Sequence, residues 1–429
     1  MAVISHLLGY DRRLAAVEKL VRDHGLQPSK ISTMAYSEQY AYPYNNYLFR
    51  VDLATPASSA FLPGTQPGTT KAPSDGLSAL VVKLSNPCAS DVNNTNRVEN
   101  DVAVQHLVRQ SMSEAGLPPL VPAIYAWAPT TTNDEANETA FGWIMSELRS
   151  GVDLDTEFSS LGAEDKEMVL EQVAAALGAI QAAKLPENVT KFGGLTFNTS
   201  GQIVSGEATL RKGAPVDSYA NWRAARLRGH LDRAAESAVI QGWKSNGVDK
   251  RIENFLNSGG LEKTLAGVDL QRKGLVHGDF TMNNLLFDKD SKRITAVLDF
   301  DWSFVSNPLD EFLSSLFDVG GQIDLDNSEL DAAILSGDFS TPTKLEDEAG
   351  KKWEAARAWN ATAKRNGVLT PSEIQGARQI VDLLRFQNLL CPYSLANESY
   401  VKKMGEEKTT ERRVQTEADI VQWLSNHGF

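Results

Sequence analysis

The chain has 429 residues, 42 basic and 55 acidic side chains, a formal net charge of −13, and 42% hydrophobic against 23% charged residues. This length and balance describe a globular protein, of two or three domains or one large two-lobed unit, and argue against a disordered chain. So acidic a surface repels phosphate backbones and anionic lipids, which argues against nucleic acid and membranes as partners and suits a cationic small molecule.

Two cysteines, Cys88 and Cys391, form neither a metal-ligand spacing nor a disulfide framework, and read as reduced, buried thiols in a cytoplasmic protein. The N-terminus, MAVISHLLGYDRR, lacks a charged region ahead of a long apolar run, so a cleaved secretory signal is not expected. No apolar stretch approaches the length of a membrane span.

In chain order, residues 11–25 predict an amphipathic helix, with Leu14, Val17, Leu20 and Val21 at helical spacing and Gly25 closing it. Tyr40 to Val51 reads as two strand-like runs around a turn at Pro43–Asn46. Residues 54–79, rich in Pro, Ser, Thr, Gly and Ala, read as a flexible connection. Ala79–Leu84 predicts a buried strand carrying Lys83, residues 97–111 a helix, and Pro122–Trp127 and Gly142–Leu148 two strands joined by a polar loop over 129–139. Beyond Gly151 a helix is expected over 164–182, then a short hairpin of Phe192–Phe197 and Gln202–Ser205 around the turn Asn198–Gly201. From Glu311 onward the chain reads as helical. One helix spans about 346–366 before Gly367, and another starts at Thr370, where Thr370-Pro-Ser-Glu373 supplies a cap, a first-turn proline and a capping-box glutamate.

The stretch Leu275 to Trp302, LVHGDFTMNNLLFDKDSKRITAVLDFDW, carries the chemistry. Phosphoryl transfer from ATP needs a metal to neutralise the triphosphate, a carboxylate to orient the attacking hydroxyl and accept its proton, and a lysine on the phosphates. Magnesium prefers oxygen ligands and keeps several waters, so one carboxylate and one amide oxygen suffice, and Asn284 and Asp299 have those atoms. Asp279, five residues before Asn284, can share the same loop. Val276 and Leu285–Phe287 anchor that loop, and the strand Ile294–Leu298 delivers Asp299 at its end.

HGDFTMNNLLF followed by AVLDFDW resembles the aminoglycoside phosphotransferase and choline kinase-like family, within the protein-kinase-like fold. The resemblance spans roughly residues 35–320. It implies an α+β, two-lobed fold: a small antiparallel-sheet N-lobe over residues 1–148 and a larger, mainly helical C-lobe over 149–429. It also implies ATP and Mg2+ as cofactors, Asp279 as catalytic base, Asn284 and Asp299 as magnesium ligands, and His277 as structural support of the loop. Lys83 resembles the strand lysine that contacts the α- and β-phosphates. Its acidic partner is Asp101 by alignment, in Asn100-Asp-Val-Ala103, with Glu99 as the competitor. The phosphate-covering loop departs from the glycine-rich pattern: Tyr42-Pro-Tyr-Asn-Asn-Tyr47 has none, and Asn45, Asn46 and Tyr47 take its place, the asparagines tolerating the left-handed conformation. Met145-Ser146-Glu147-Leu148 falls where the family joins its lobes and its backbone meets adenine. Phe192–Phe197 resembles uncharacterised fungal members.

A protein kinase has a long activation segment after the metal-binding Asp, ending in Ala-Pro-Glu. Asp299 to Pro308 runs almost at once into Leu309–Phe317, which leaves no room for one. The expected acceptor is therefore a small molecule. Asp301, Trp302, Asp310 and Glu311 either line its site, as carboxylates and an aromatic face for a cation, or pack the core and cap the next helix. The segment 207–265, with Trp222, Arg223, Arg226 and Arg228, either contributes to that site or forms a charged, solvated helix. The function expected is an ATP- and magnesium-dependent kinase acting on a hydroxyl of a small molecule, amine-bearing, choline-like or a specialised metabolite. The alternative is a nucleotide-binding pseudokinase or scaffold of the same fold.

Overall fold

Val17 and Val21, one helical turn apart and both fully buried, fix the inner face of helix α1, Tyr10–Asp23, and Gly25 at φ +71° ends it after His24. The computed structural model describes residues 8–34, 44–89, 92–130, 140–210, 213–325, 328–340 and 347–429. The expectations for the extreme N-terminus, for most of the 129–139 loop and for Tyr42-Pro43 of the covering turn lie outside these residues.

Two compact units divide the chain. The first comprises Met1–Pro215, Lys273–Gln322 and Asp347–Leu369. It holds a five-stranded sheet of β1 (Pro28–Met34), β2 (Asn46–Ala57), β3 (Leu77–Ser85), β4 (Ile124–Ala128) and β5 (Trp143–Glu147), in the order β1-β2-β3-β5-β4. Every neighbouring pair is antiparallel, and Lys83 stands opposite Leu48 on β2 and Ile144 on β5. Phe49, Val51, Leu80, Val82, Leu84 and Met145 form the core under this sheet. β1 was not expected. It is an edge strand of sequence PSKISTM with no fully buried residue, so it lacks the apolar alternation that marks a strand in a sequence.

The segment expected to be a flexible connection is fastened down. β2 runs on to Ala57, Leu62 and Ala72 sit in the sheet's core, and Thr70 N donates to Ile124 O at 2.6 Å. The Gln66 amide donates to Trp127 O at 3.0 Å and accepts from Trp127 N at 3.2 Å.

Helix α2, Arg97–Glu114, packs beside the sheet and buries polar residues, Arg97, Asn100 and Asp101, along with Val98, Val102 and Val108. The short strand β6 (Val152–Asp153) leads into α3 (Leu154–Phe158), and then α4, Ala163–Gln181, lies against α2, with Ser111 Oγ donating to Ala179 O at 2.6 Å. The expected hairpin is present as β7 (Gly194–Phe197) and β8 (Ile203–Gly206). Four strands complete the unit: β9 (Gly274–Val276), β10 (Leu285–Asp288), β11 (Arg293–Val297) and β12 (Phe304–Ser306), with β10 pairing both β11 and β6, and β9 pairing β12.

Among the described residues every regular element from Glu311 onward is helical, as expected, but the first is short. A single four-residue helix, Glu311–Ser314, ends where Leu316 takes φ +68° and gives its N–H to Phe280 O at 3.1 Å. The expected helix near 346–366 is Asp347–Arg365.

The second unit comprises Val216–Arg272, Ile323–Glu346 and Thr370–Phe429. Its helices include Tyr219–Glu236, Val248–Asn257, Ala377–Leu390 and Glu406–Asn426. Phe255 meets Phe386 and Trp423 edge-on, with ring centroids at 5.3 and 5.2 Å, and Phe386 stacks on Trp423 at 4.0 Å. The helix over 219–236 is not a wholly solvated one: Trp222 and Arg223 are buried, and Arg223 Nε donates to Tyr219 Oη at 2.7 Å, while Arg228 is exposed. The box at Thr370 forms, with Thr370 N donating to Glu373 Oε2 at 2.9 Å, but it caps only the turn Pro371–Glu373. The long helix starts at Ala377, after extended Ile374 and left-handed Gly376. The cysteines are not joined in a disulfide, yet Cys88 is exposed and Cys391 half-buried rather than both buried. No helix among the described residues is long and apolar enough to cross a membrane.

Candidate active site

The loop from His277 to Asn284 hangs between β9 and β10, and buried polar groups hold it from below. Gly278 sits at φ +84°, and a Cβ there would lie 2.5 Å from Trp302 O, so only glycine brings these two backbones together. Glu311 is fully buried beneath the loop. Its carboxylate accepts from His277 N at 2.6 Å, Gly278 N at 3.2 Å and Ser315 Oγ at 2.6 Å. Burial pushes its pKa up, and those three donors work against the shift. Ser315 Oγ also accepts from Phe280 N at 2.9 Å, and Ser303 Oγ donates to His277 O at 3.0 Å. Asp318 accepts from Met282 N.

His277 has no exposed surface and lies between Phe300 and Phe280, with ring centroids at 4.6 and 5.6 Å. Nε2 is 3.1 Å from Leu298 O, and Nδ1 is 3.3 Å from Asp279 N. A carbonyl on one nitrogen and an N–H on the other assign the neutral tautomer with its proton on Nε2. Burial lowers the imidazole pKa to about 4, against the opposing pull of Leu298 O.

Asp279, Asn284 and Asp299 come together above this support. Asn284 Nδ2 donates to Asp279 O at 2.8 Å and Oδ2 at 3.0 Å, which fixes the carboxylate and leaves Asn284 Oδ1 with only a long contact, 3.4 Å, to Asn283 Nδ2. Asp279 is half-buried, and burial raises its pKa against the Asn284 bond. Asp299 follows β11 in the left-handed region, φ +59° and ψ +66°, a conformation that Asp tolerates better than most residues. Its Oδ1 is enclosed and has no hydrogen-bond partner among the described residues. Burial first, then the charges of Asp301, Asp101 and Asp279, raise its pKa to about 6 against the pull of Lys83.

That orphaned oxygen is the test for a cation. An enclosed carboxylate oxygen with no hydrogen bond and only the Lys83 ammonium near it, at 3.6 Å, together with an amide oxygen that has only a long contact, suits a hard divalent ion. No group of three or more His, Cys, Asp or Glu side chains among the described residues is arranged to hold a metal. One carboxylate and one amide still suffice for magnesium, whose remaining positions water fills.

Lys83 Nζ reaches Asp101 Oδ2 at 2.8 Å, Asp301 Oδ1 at 3.3 Å and Asp299 Oδ1 at 3.6 Å. Burial alone would lower the ammonium pKa, and the three carboxylates outweigh it, so the net shift is upward and the charge is held. The partner is thus Asp101 rather than Glu99, whose half-buried carboxyl is raised by burial.

Asn46 opens β2 and donates from Nδ2 to Asp301 Oδ2 at 2.8 Å. Asn45 O accepts from Asn86 N at 2.9 Å, and the Tyr47 ring lies under the Arg13 guanidinium at 3.9 Å. Met145 is buried in the sheet's core, while Ser146, Glu147 and Leu148 are half-buried where β5 ends. Glu147 is engaged by Ala123 N at 3.1 Å and Arg149 Nη1 at 3.0 Å. Trp302 is half-buried, and Asp310 is buried, accepting from Ser306 Oγ at 2.6 Å. Asp301 and Glu311, considered as acceptor contacts, are both engaged within the protein, one by Lys83 and Arg97, the other under the His277–Asn284 loop.

Sequence reasoning missed Arg97, Asn100 and Ser303. Asn100 Oδ1 accepts from Leu195 N at 2.7 Å and its Nδ2 donates to Ser303 O at 2.8 Å, tying α2 to β7 and to the turn after Asp299. The only signal was an asparagine and an arginine on helical positions that turn out to be buried.

Residues 74–347 match the model of the phosphotransferase enzyme family. Among solved structures, the aminoglycoside phosphotransferase APH(2'')-Ib with ADP bound is similar at 13% identity and a TM-score of 0.48, covering 95% of this chain and 98% of that one. The streptomycin–ATP–APH(2'')-IIa ternary complex is similar at 12% identity and 0.46, over 94% and 96%. APH(3'')-Id from Streptomyces rimosus with ADP and streptomycin follows at 12% and 0.36, over 87% and 98%. No curated protein matches the chain.

Proposed function

The chain belongs to the phosphotransferase enzyme family, and from that premise we propose that it transfers the γ-phosphoryl group of ATP, with magnesium, to a hydroxyl of a small molecule. The observation that carries this reading is the placement of Asp279, Asn284 and Asp299 within one unit with the Lys83–Asp101 pair.

In this reading Asp279, oriented by Asn284, accepts the proton of the acceptor hydroxyl as its oxygen bonds to the γ-phosphorus and the bond to the ADP oxygen breaks. The raised pKa of Asp279 brings it closer to the operating pH of a general base. Lys83, kept charged by its carboxylates, holds the α- and β-phosphates. Asn284 and Asp299 would hold magnesium, which when bound neutralises charge on the triphosphate. The Asn45–Tyr47 turn lies over the phosphates, and the backbone of Met145–Leu148 receives adenine. Residues 1–148 cover the nucleotide in this scheme, and 149–429 carry the catalytic loop and the acceptor site. The acidic chain favours an acceptor bearing an amine, aminoglycoside-like or choline-like, and a cytoplasmic setting suits ATP as the donor and two cysteines without a disulfide spacing.

The absence of glycine from the turn before β2 favours a second reading, a nucleotide-binding protein of this fold without turnover. A panel of aminoglycosides, choline-like alcohols and specialised metabolites, assayed for ADP release, separates the two. The first reading expects release that needs both an alcohol and magnesium and is lost in Asp279→Asn. Nucleotide binding with release unchanged by Asp279→Asn would contradict it.

A further inference from the structure

Arg97 opens α2 with a side chain that is 1% exposed. A buried guanidinium is tolerable only when its donors are matched, so its partners define its task. Nε donates to Asp301 Oδ1 at 3.2 Å and Oδ2 at 3.1 Å, and Nη2 donates to Asp301 Oδ2 as well. The same Nη2 reaches Asn45 O at 2.8 Å and Asn46 Oδ1 at 3.1 Å, and Nη1 reaches Asn94 Oδ1 at 3.2 Å. Asp301 in turn accepts from Asn46 Nδ2 at 2.8 Å and Lys83 Nζ at 3.3 Å. One cation therefore joins three segments distant in sequence: the turn entering β2, the start of α2, and the turn that follows Asp299.

We propose that Arg97 is a positioning residue that clamps the Asn45–Asn46 turn to Asp301, setting the height of the phosphate-covering turn by side-chain hydrogen bonds where a glycine-rich loop would use its backbone. The nucleotide part of this inference rests on the ATP reading above. Only arginine has the planar fork to serve a carboxylate through two nitrogens and still reach Asn45 O; lysine keeps the charge and loses the fork. Asp301 is then the clamp's anion rather than an acceptor contact.

Arg97→Lys tests this, with hydrogen exchange over residues 44–50 and calorimetric titration with Mg·ADP as readouts. The clamp predicts that Arg97→Lys melts within a few degrees of the parent, exchanges about tenfold faster over 44–50 with β4 and β5 unchanged, and binds Mg·ADP about tenfold more weakly. A purely packing role would lower the melting temperature and leave affinity and local exchange as they were, and that result would overturn the proposal. Where Arg97→Lys does not fold, Arg97→Met with Asp301→Asn removes both charges together and leaves no buried ion unpaired, and the same two readouts decide. If the parent protein itself does not bind Mg·ADP, the nucleotide reading fails, and the exchange arm alone still decides: faster exchange over 44–50 supports the clamp and unchanged exchange overturns it.

Discussion

Lys83 Nζ and Asp101 Oδ2 meet at 2.8 Å, strand to helix, with Asp101 only 1% exposed. Asp101 Oδ1 is also taken, by Gln105 Nε2 at 2.7 Å. The helix stands close enough to the strand for the shorter acid to reach the lysine. Asp101→Glu therefore adds a methylene to a filled site. The expected outcome is a loss of about 1–3 kcal/mol, read as a lower melting temperature, with nucleotide affinity no better than that of the parent.

His277 gives the protein a pH-dependent support. Its pKa falls from 6.5 to about 4 on folding, chiefly through burial, so the unfolded chain binds more protons between those values. The stability it contributes is complete above the unfolded pKa and is lost as pH falls toward the folded one, to a total of roughly 3 kcal/mol. Glu311 and Asp279 have raised folded values and act in the opposite sense. The informative quantity is thus the difference between parent and His277→Gln in urea midpoint, taken at about pH 7.5 and again at about pH 5. The variant's disadvantage is expected to shrink at the lower pH; a gap of constant size would contradict the neutral, buried imidazole.

Gly278→Ala is expected to lower activity by at least about tenfold and stability by about 1–3 kcal/mol, because the added carbon would meet Trp302 O and the left-handed backbone is strained for alanine. Activity and melting measured together check it, and a variant equal to the parent in both would show that the loop does not depend on this approach.

Glu311→Gln replaces an all-acceptor group that receives two backbone N–H donors and a hydroxyl. The amide nitrogen cannot accept, so at least one buried N–H loses its partner, at about 1–3 kcal/mol. A destabilised protein with unchanged preference among acceptors is expected; a changed preference with unchanged stability would restore Glu311 as an acceptor contact.

The grouping of Asp279, Asn284 and Asp299 was legible because they lie close in sequence: Asp279 and Asn284 five residues apart, and Asp299 at the end of the next strand but one. The Lys83 strand was legible because a lysine interrupts an apolar run. Arg97 and Asn100 were not, since each meets the turn after Asp299 across more than 200 residues of chain, and a helix sequence does not say which polar face is enclosed. β1 escaped because an edge strand needs no apolar alternation. For Asp301 and Glu311 the sequence left two readings open, acceptor contact or an internal role, because only the fold reveals their partners: Arg97 for one and backbone N–H groups for the other.

The most direct measurement of the central claim is calorimetric titration of the protein with ATP, with and without magnesium, beside Asp299→Asn. The account predicts binding that depends on magnesium and weakens at least about tenfold in the variant, because the amide lacks the negative charge that, in the proposed function, holds the metal. Binding of equal strength without magnesium, or binding untouched by Asp299→Asn, would contradict it.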